Sequence, residues 1–258
     1  MDAMSDLMEH RIVSHEEWLV ERKALLAKEK EFNRLRDELS AERRELSWER
    51  VTKEYVFDGP NGRETLGQLF EGRSQLVVYH AMFDPKTATD KTPYTENAPC
   101  AACSFWMDNF ERVVVHLAHQ DVTLIAASRA PTDKLDAYRR RMGWTFKWVS
   151  VGAGDFNHDY GVTLTAQEIA SGQAQYNYAK TSISVPELPG ISVFYKQPAS
   201  GAVYHTYSTY SRGVDMLNVG YHYLDLVPKG RDEARMGNRP QWLRRRDEYK
   251  DDPSKPCH

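Results

Sequence analysis

Trp18, Leu25, Phe32, Leu39 and Leu46 recur every seven residues within Ser14 to Arg50, a stretch with 10 acidic and 9 basic residues and no Gly or Pro. This spacing predicts one long polar helix with a narrow apolar seam. Leu26 and Leu35 widen the seam in part. Ser14 followed by Glu17 is a capping-box pattern, in which each residue satisfies an exposed backbone N–H of the other. Charged residues such as Arg22 and Glu29 fill most of the alternate seam positions, where a self-sufficient coiled coil wants apolar ones. The helix is therefore expected to dock by one stripe on its own domain. A homodimer contact through it is the sharper alternative.

From Val51 the apolar period shortens. Glu54 to Phe57 and Gln75 to Met82 are expected as strands. Between them lie a turn, Asp58 to Gly62, and a short helix, Thr65 to Phe70, ended by Gly72. Leu76-Val77-Val78-Tyr79 is a continuous apolar run, as in a strand buried on both faces. After a long polar loop, Ala101 to His119 has helical spacing. Asp121 to Ser128 is another apolar strand. Pro131 opens a helix to Met142, stopped by Gly143, and Phe146 to Ser150 is a short strand. Strand alternating with helix implies a parallel or mixed sheet covered on both faces.

Gly152 to Lys180 is an irregular insertion with one helix, Thr165 to Ser171, again opened by a capping box. Ile191 to Lys196 and Ala202 to Tyr207 form a hairpin, and Gly213 to Leu226 is a candidate last helix. The expected organisation is a helical extension (1–50), a core domain (51–227) containing the insertion (152–180), and a charged tail (228–258).

Composition narrows the class. The chain has 258 residues, with 6 Trp, 14 Tyr and 9 Phe, too aromatic for disorder. A net charge of -3 argues against nucleic acid as partner. No stretch approaches the roughly 20 apolar residues that span a bilayer, and Met1 to Arg11 has no apolar signal core. A cytoplasmic protein with no membrane partner is expected. Three cysteines are too few for a disulfide scaffold.

Two of those cysteines carry the candidate chemistry. Pro99-Cys100-Ala101-Ala102-Cys103 follows a buried strand and a loop and opens a helix. Three-residue spacing puts both sulfurs on one side of the helix. Unpaired N–H groups at the helix start favour a Cys100 thiolate, and Cys103, further in, would resolve a mixed disulfide. The competing pattern is a zinc site. His116 and His119 complete C-x2-C-x12-H-x2-H, one residue short of zinc-finger spacing. A continuous helix to His119 would hold His116 roughly 20 Å from Cys103, so neither metal nor any other cofactor is expected.

Pro189 stands directly before the strand Ile191 to Lys196, and Pro186 is a competing candidate. In thioredoxin-class redox proteins such a proline is cis and faces the dithiol. His80, at the end of the first core strand, could tune the site, although a surface or capped histidine is the simpler expectation. His158 could overhang it. Asp108 is expected to be exposed, Cys257 to be a tail cysteine, and Arg244, Arg245 and Arg246 to be a solvated surface balanced by Asp247 and Glu248.

Several segments resemble a known family. They are His15 to Trp18, Tyr55 to Pro60, Cys100 to Trp106, Ser128 to Pro131, Leu188 to Tyr195 and Tyr221 to Asp225. The chain, from about His15 to Tyr249, is similar to the bacterial thioredoxin-like family catalogued as domain of unknown function 899. The resemblance implies an α/β, thioredoxin-like three-layer fold with a mixed central sheet, close to the peroxiredoxin branch, plus the long N-terminal helix. It implies active residues at Cys100 and Cys103, with Pro189 as the matching proline. The expected function is thiol–disulfide exchange on a protein or small-molecule disulfide. The alternatives are a peroxiredoxin-like peroxidase, a non-enzymatic ligand-binding module, and metal capture by the two thiolates. The Thr-x-x-Cys peroxidatic pattern is missing, since position 97 is Asn97.

Overall fold

The computed structural model describes residues 10–231 and 242–249. The chain divides into two compact units between Ser47 and Trp48.

The first unit is one helix, α1 (His15–Glu45). Its capping box is formed: the Glu17 N–H donates to Ser14 Oγ at 3.2 Å, and the Ser14 N–H to Glu17 Oε2 at 3.1 Å. Arg34 pairs with Glu31 and Glu38 one turn to either side. No residue of α1 is buried, and its seam residues Trp18, Leu25, Phe32, Leu39 and Leu46 are half exposed or more. The helix stops short of the expected Arg50. Trp48 instead packs its ring on Tyr195 and Tyr204, and Glu49 and Arg50 pair with His205 and Tyr204 as an edge strand.

The second unit is a mixed α/β domain. Its strands are β1 (Glu49–Arg50), β2 (Val56–Gly59), β3 (Gly62–Thr65), β4 (Gln75–His80), β5 (Val122–Ser128), β6 (Trp148–Ser150), β7 (Ala174–Tyr176), β8 (Ala179–Thr181), β9 (Gly190–Lys196) and β10 (Val203–Tyr210). Its helices are α2 (Ala101–Met107), α3 (Val114–Ala118), α4 (Thr132–Met142), α5 (Phe156–Asp159), α6 (Ala166–Ser171) and α7 (Val219–Leu224). Eight strands form one sheet in the order β1-β10-β9-β4-β5-β6-β2-β3, and β7 and β8 form a separate hairpin. β4, β5 and β6 run parallel, whereas β9 is antiparallel to both β4 and β10.

The apolar runs of β4 and β5 are buried on both faces, as their composition requires. One face sets Tyr79, Leu124, Ala126 and Trp148 against Met107, Leu135 and Tyr138. The other sets Leu76, Val78, Ile125 and Val149 against Phe57, Phe70 and Phe156. The central parallel strands, the crossover helices and the β9–β10 hairpin make a thioredoxin-like three-layer core.

Three expected helices differ. Ala101 to His119 breaks between α2 and α3, because the Asn109 amide donates to the Phe105 and Trp106 carbonyls, 2.7 and 3.3 Å away. Asp108 and Glu111 turn their carboxylates to Trp144 and Thr145. Gly213 to Leu226 splits into a 3-10 helix, Ser211–Leu217, and α7, which Asn218 caps by accepting from the Tyr221 N–H. Thr65 to Phe70 is the end of β3 followed by a run of turns. The insertion contains the β7–β8 hairpin, which turns at Asn177 and Tyr178 with φ of 52° and 62°. α4 and α6 sit where expected, and both end on a left-handed glycine, Gly143 and Gly172.

Candidate functional site

A loop joins β4 to the dithiol and returns to the strand's end. The Cys100 N–H donates to the Met82 carbonyl at 3.1 Å, which ties the start of α2 to the segment just after β4. The Met82 N–H in turn donates to Cys103 Sγ at 3.3 Å. Ser104 fixes the first turn: its hydroxyl donates to the Cys100 carbonyl at 3.2 Å and meets Tyr138 Oη at 2.9 Å. Both cysteines are free thiols. They are well shielded, with Cys100 5% and Cys103 1% exposed.

The two sulfurs differ electrostatically. Cys100 is pulled down to about 7, chiefly by a hydrogen bond from the Cys103 thiol. The backbone N–H groups of Cys103 and Ala102 and the charge of Arg245 add to this, against the opposing effect of burial. Cys103 is pushed well above the ordinary thiol range by burial and by its bond to Cys100. A thiolate stabilised by donors beside a thiol that keeps its proton is the division of labour that thiol exchange needs. Behind them, Tyr79 lies in the same buried cluster, and burial holds its hydroxyl protonated.

Arg245 does not belong to a solvated surface. Its guanidinium donates twice to the Pro99 carbonyl, at 2.6 and 3.1 Å, and pairs with Glu248 at 3.1 Å. Arg246 reaches Asp108 at 3.3 Å, while Asp247 and Glu248 pair with Arg141. Asp108 is not exposed either: it accepts from Trp144 Nε1 at 2.9 Å.

Pro189 lies one residue before Gly190, which pairs with His80 at the end of β4. All peptide bonds among the described residues are trans, so Pro189 lacks the cis geometry of thioredoxin-class proteins. Its carbonyl accepts from Tyr176 Oη at 2.7 Å. Tyr176 comes from the insertion and lies within electrostatic reach of Cys103. Pro186 accepts from the Leu164 N–H, and the Leu188 N–H donates to Val162, so the insertion braces the proline loop.

The histidines stand apart from the dithiol. His80 is neither surface nor tuning group. It packs in the opposite apolar layer, stacked on Phe156, with Nδ1 on Asn157 Oδ1 and Nε2 on Ser192 Oγ, both at 2.9 Å. Burial lowers it to about 4, so the ring is neutral at pH 7. The chain of contacts continues from Ser192 to Ser208 and His205. His158 is exposed and faces Glu168. Although the helix from Cys103 to His119 is broken, no three His, Cys, Asp or Glu side chains converge on a metal-sized site among the described residues. Cys257 lies outside the described residues.

A buried acid escaped the sequence. Glu187, two residues before Pro189, is 1% exposed and accepts from Thr163 Oγ1 at 2.9 and 3.0 Å. Burial raises it to about 8. Arg129 stands 3.9 Å from it and 3.8 Å from Asp84, on the wall of a cleft of about 180 Å³ that Lys86, Thr132 and Ser150 also line.

The strand order β10-β9-β4-β5, with β4 and β5 parallel and β9 antiparallel to both β4 and β10, is the thioredoxin-like arrangement. The family model described as "Bacterial protein of unknown function (DUF899)" matches residues 7–249, and the chain belongs to that family. No curated protein matches it. Similar solved structures include the peroxidoxin BcpB of Mycobacterium tuberculosis, at 13% identity over 66% of this chain and 92% of that one, with a TM-score of 0.44. A PrxQ variant of Xylella fastidiosa is similar at 14% identity over 66% and 89%, with a TM-score of 0.38. The mitochondrial 2-Cys peroxiredoxin of Plasmodium falciparum is similar at 12% over 69% and 95%, with a TM-score of 0.39. No helix among the described residues is long and apolar enough to cross a membrane.

Proposed function

We propose that the protein is a thiol–disulfide oxidoreductase in which Cys100 attacks a substrate disulfide and Cys103 resolves the mixed disulfide. The observation that carries this is the placement of two free thiols three residues apart at the start of α2, Cys100 at the N-cap and Cys103 buried in the first turn, and burial and hydrogen bonding hold Cys100 low and Cys103 high. Thiolate at Cys100 is then abundant at neutral pH, and Cys103 holds its proton until it attacks. The experiment is disulfide reduction with a thiol regenerant. Wild type should turn over, Cys100→Ser should be inactive, and Cys103→Ser should accumulate a mixed disulfide on Cys100. No turnover by wild type, or full turnover by the double variant, would overturn the proposal.

Peroxide reduction is the second reading, supported by the 5% exposure of Cys100, which suits a small oxidant better than a folded protein's disulfide. The missing Thr-x-x-Cys pattern counts against it, since position 97 is Asn97. Peroxide consumption by wild type but not by Cys100→Ser would favour this reading.

A further inference from the structure

The cleft beside Arg129 opens at the carboxyl ends of the parallel strands. Asp84 follows β4, Arg129 follows β5 and Ser150 ends β6, and all three line it. That end of an α/β sheet is where ligands are generally held. Arg129 is fixed there by one bond, from its Nε to the Gly152 carbonyl at 3.2 Å. The buried carboxyl groups of Asp84 and Glu187 stand off from the guanidinium at 3.8 and 3.9 Å, and its two terminal nitrogens have no hydrogen-bond acceptor among the described residues. The planar donor fork is left open.

Further donors face the same cleft. The Lys86 ammonium and the Thr132 hydroxyl make no hydrogen bond among the described residues. α4 starts at Pro131 without a side-chain cap, so its first N–H groups are open there. The carboxyl groups nearby do not cancel this. Asp84 accepts from the Lys86 N–H at 3.1 Å and offsets a single positive charge. Glu187 keeps its proton until about 8. Asp58 is more than half exposed and leans on Arg63 at 3.9 Å. A surplus of donors and of positive charge around one cleft of about 180 Å³ calls for an acceptor-rich anion.

We propose that the cleft is a binding site for a small oxyanion, a carboxylate or a phosphate group, gripped by the Arg129 fork. Lys86 supplies the second positive charge, and Thr132 with the start of α4 supplies hydrogen bonds. An arginine suits this place because its fork meets two oxygens of one anion at once, which a lysine cannot do. The dithiol reading neither requires this site nor supports it, so the two stand or fall separately.

The test is calorimetric titration of the full chain at neutral pH and low ionic strength, with inorganic phosphate and, separately, with malonate. Sodium chloride at matched ionic strength is the reference. Saturable binding of at least one probe is expected. Phosphate alone identifies a phosphate group, malonate alone a carboxylate, and both together the shared oxyanion chemistry. Arg129→Gln should weaken binding about tenfold, the loss of one hydrogen bond to a charged group. Lys86→Glu, at an exposed position, should weaken it about fivefold and leave thermal unfolding unchanged. No saturation by either probe below about 10 mM overturns the inference, as does wild-type affinity in Arg129→Gln. Should Arg129→Gln fail to fold, wild-type affinity in Lys86→Glu overturns it instead.

Discussion

Arg245 rests its guanidinium on the carbonyl of Pro99, with two donors at 2.6 and 3.1 Å, one residue before the thiol of Cys100. The contact joins positions 146 residues apart and brings a fixed positive charge to the start of α2. That charge lowers Cys100. Arg245→Ala should slow alkylation of Cys100 at pH 6.5 about threefold and leave the rate at pH 9 unchanged, because only the thiolate fraction is altered. Iodoacetamide kinetics followed by mass spectrometry check this. A drop of equal size at both pH values would mean that the residue acts through structure.

The largest influence on Cys100 is the hydrogen bond from Cys103. Cys103→Ala removes that donor and should reduce alkylation of Cys100 at pH 7 more than Arg245→Ala does. Cys103→Ser keeps a donor and should recover most of the loss. The same kinetics distinguish the two, and identical rates for the alanine and serine variants would count against a hydrogen bond.

Glu187 and His80 set opposite pH dependences of stability. Unfolded, a glutamate titrates near 4.5, whereas folded Glu187 keeps its proton until about 8. Folding therefore takes up a proton between these values, and stability falls as pH rises through them. His80 titrates near 4 when folded and 6.5 when unfolded, so its contribution grows as pH rises and is complete by about 6.5. Above 6.5 His80 no longer contributes to the slope, and a Cys100→Ser background removes the opposing titration of Cys100, which folding lowers to about 7, so in that background the interval from 6.5 to 8 isolates Glu187. Urea unfolding should lose on the order of 2 kcal/mol across it, and Glu187→Gln should flatten that slope.

Gly190 tests the seat of the proline loop. A Cβ there would stand 2.7 Å from the Tyr210 ring and 2.9 Å from Val162. Both neighbours are packed, so Gly190→Ala should destabilise by about 1–3 kcal/mol through overpacking. Thermal unfolding measures the loss directly.

Features set by neighbouring residues were legible in the sequence. The capping boxes of α1 and α6, the apolar runs of β4 and β5, and the dithiol at the start of α2 are all local patterns. Features set by distant partners were not. Arg245 sits in a run of charges that looks solvated, and only the fold delivers it to Pro99. Glu187 looks like a surface acid until Thr163 pairs with it. Asn109 breaks the helix after α2 locally, but the partners that Asp108 and Glu111 turn to, Trp144 and Thr145, lie more than 30 residues away. The β7–β8 hairpin turns on Asn177 and Tyr178, both at positive φ, where a glycine would have announced the turn. Tyr79 was visible within its strand, but an apolar run on both faces does not reveal which face meets the cysteines.

The central claim is that the two thiols are separated in reactivity by their surroundings. The most direct test is the pH profile of cysteine alkylation in the reduced wild-type protein, with each site quantified by mass spectrometry. Cys100 should react with a midpoint near pH 7, while Cys103 stays unmodified up to pH 9. A Cys100 midpoint at or above that of a free cysteine, about 8.5, or modification of Cys103 first, would contradict it.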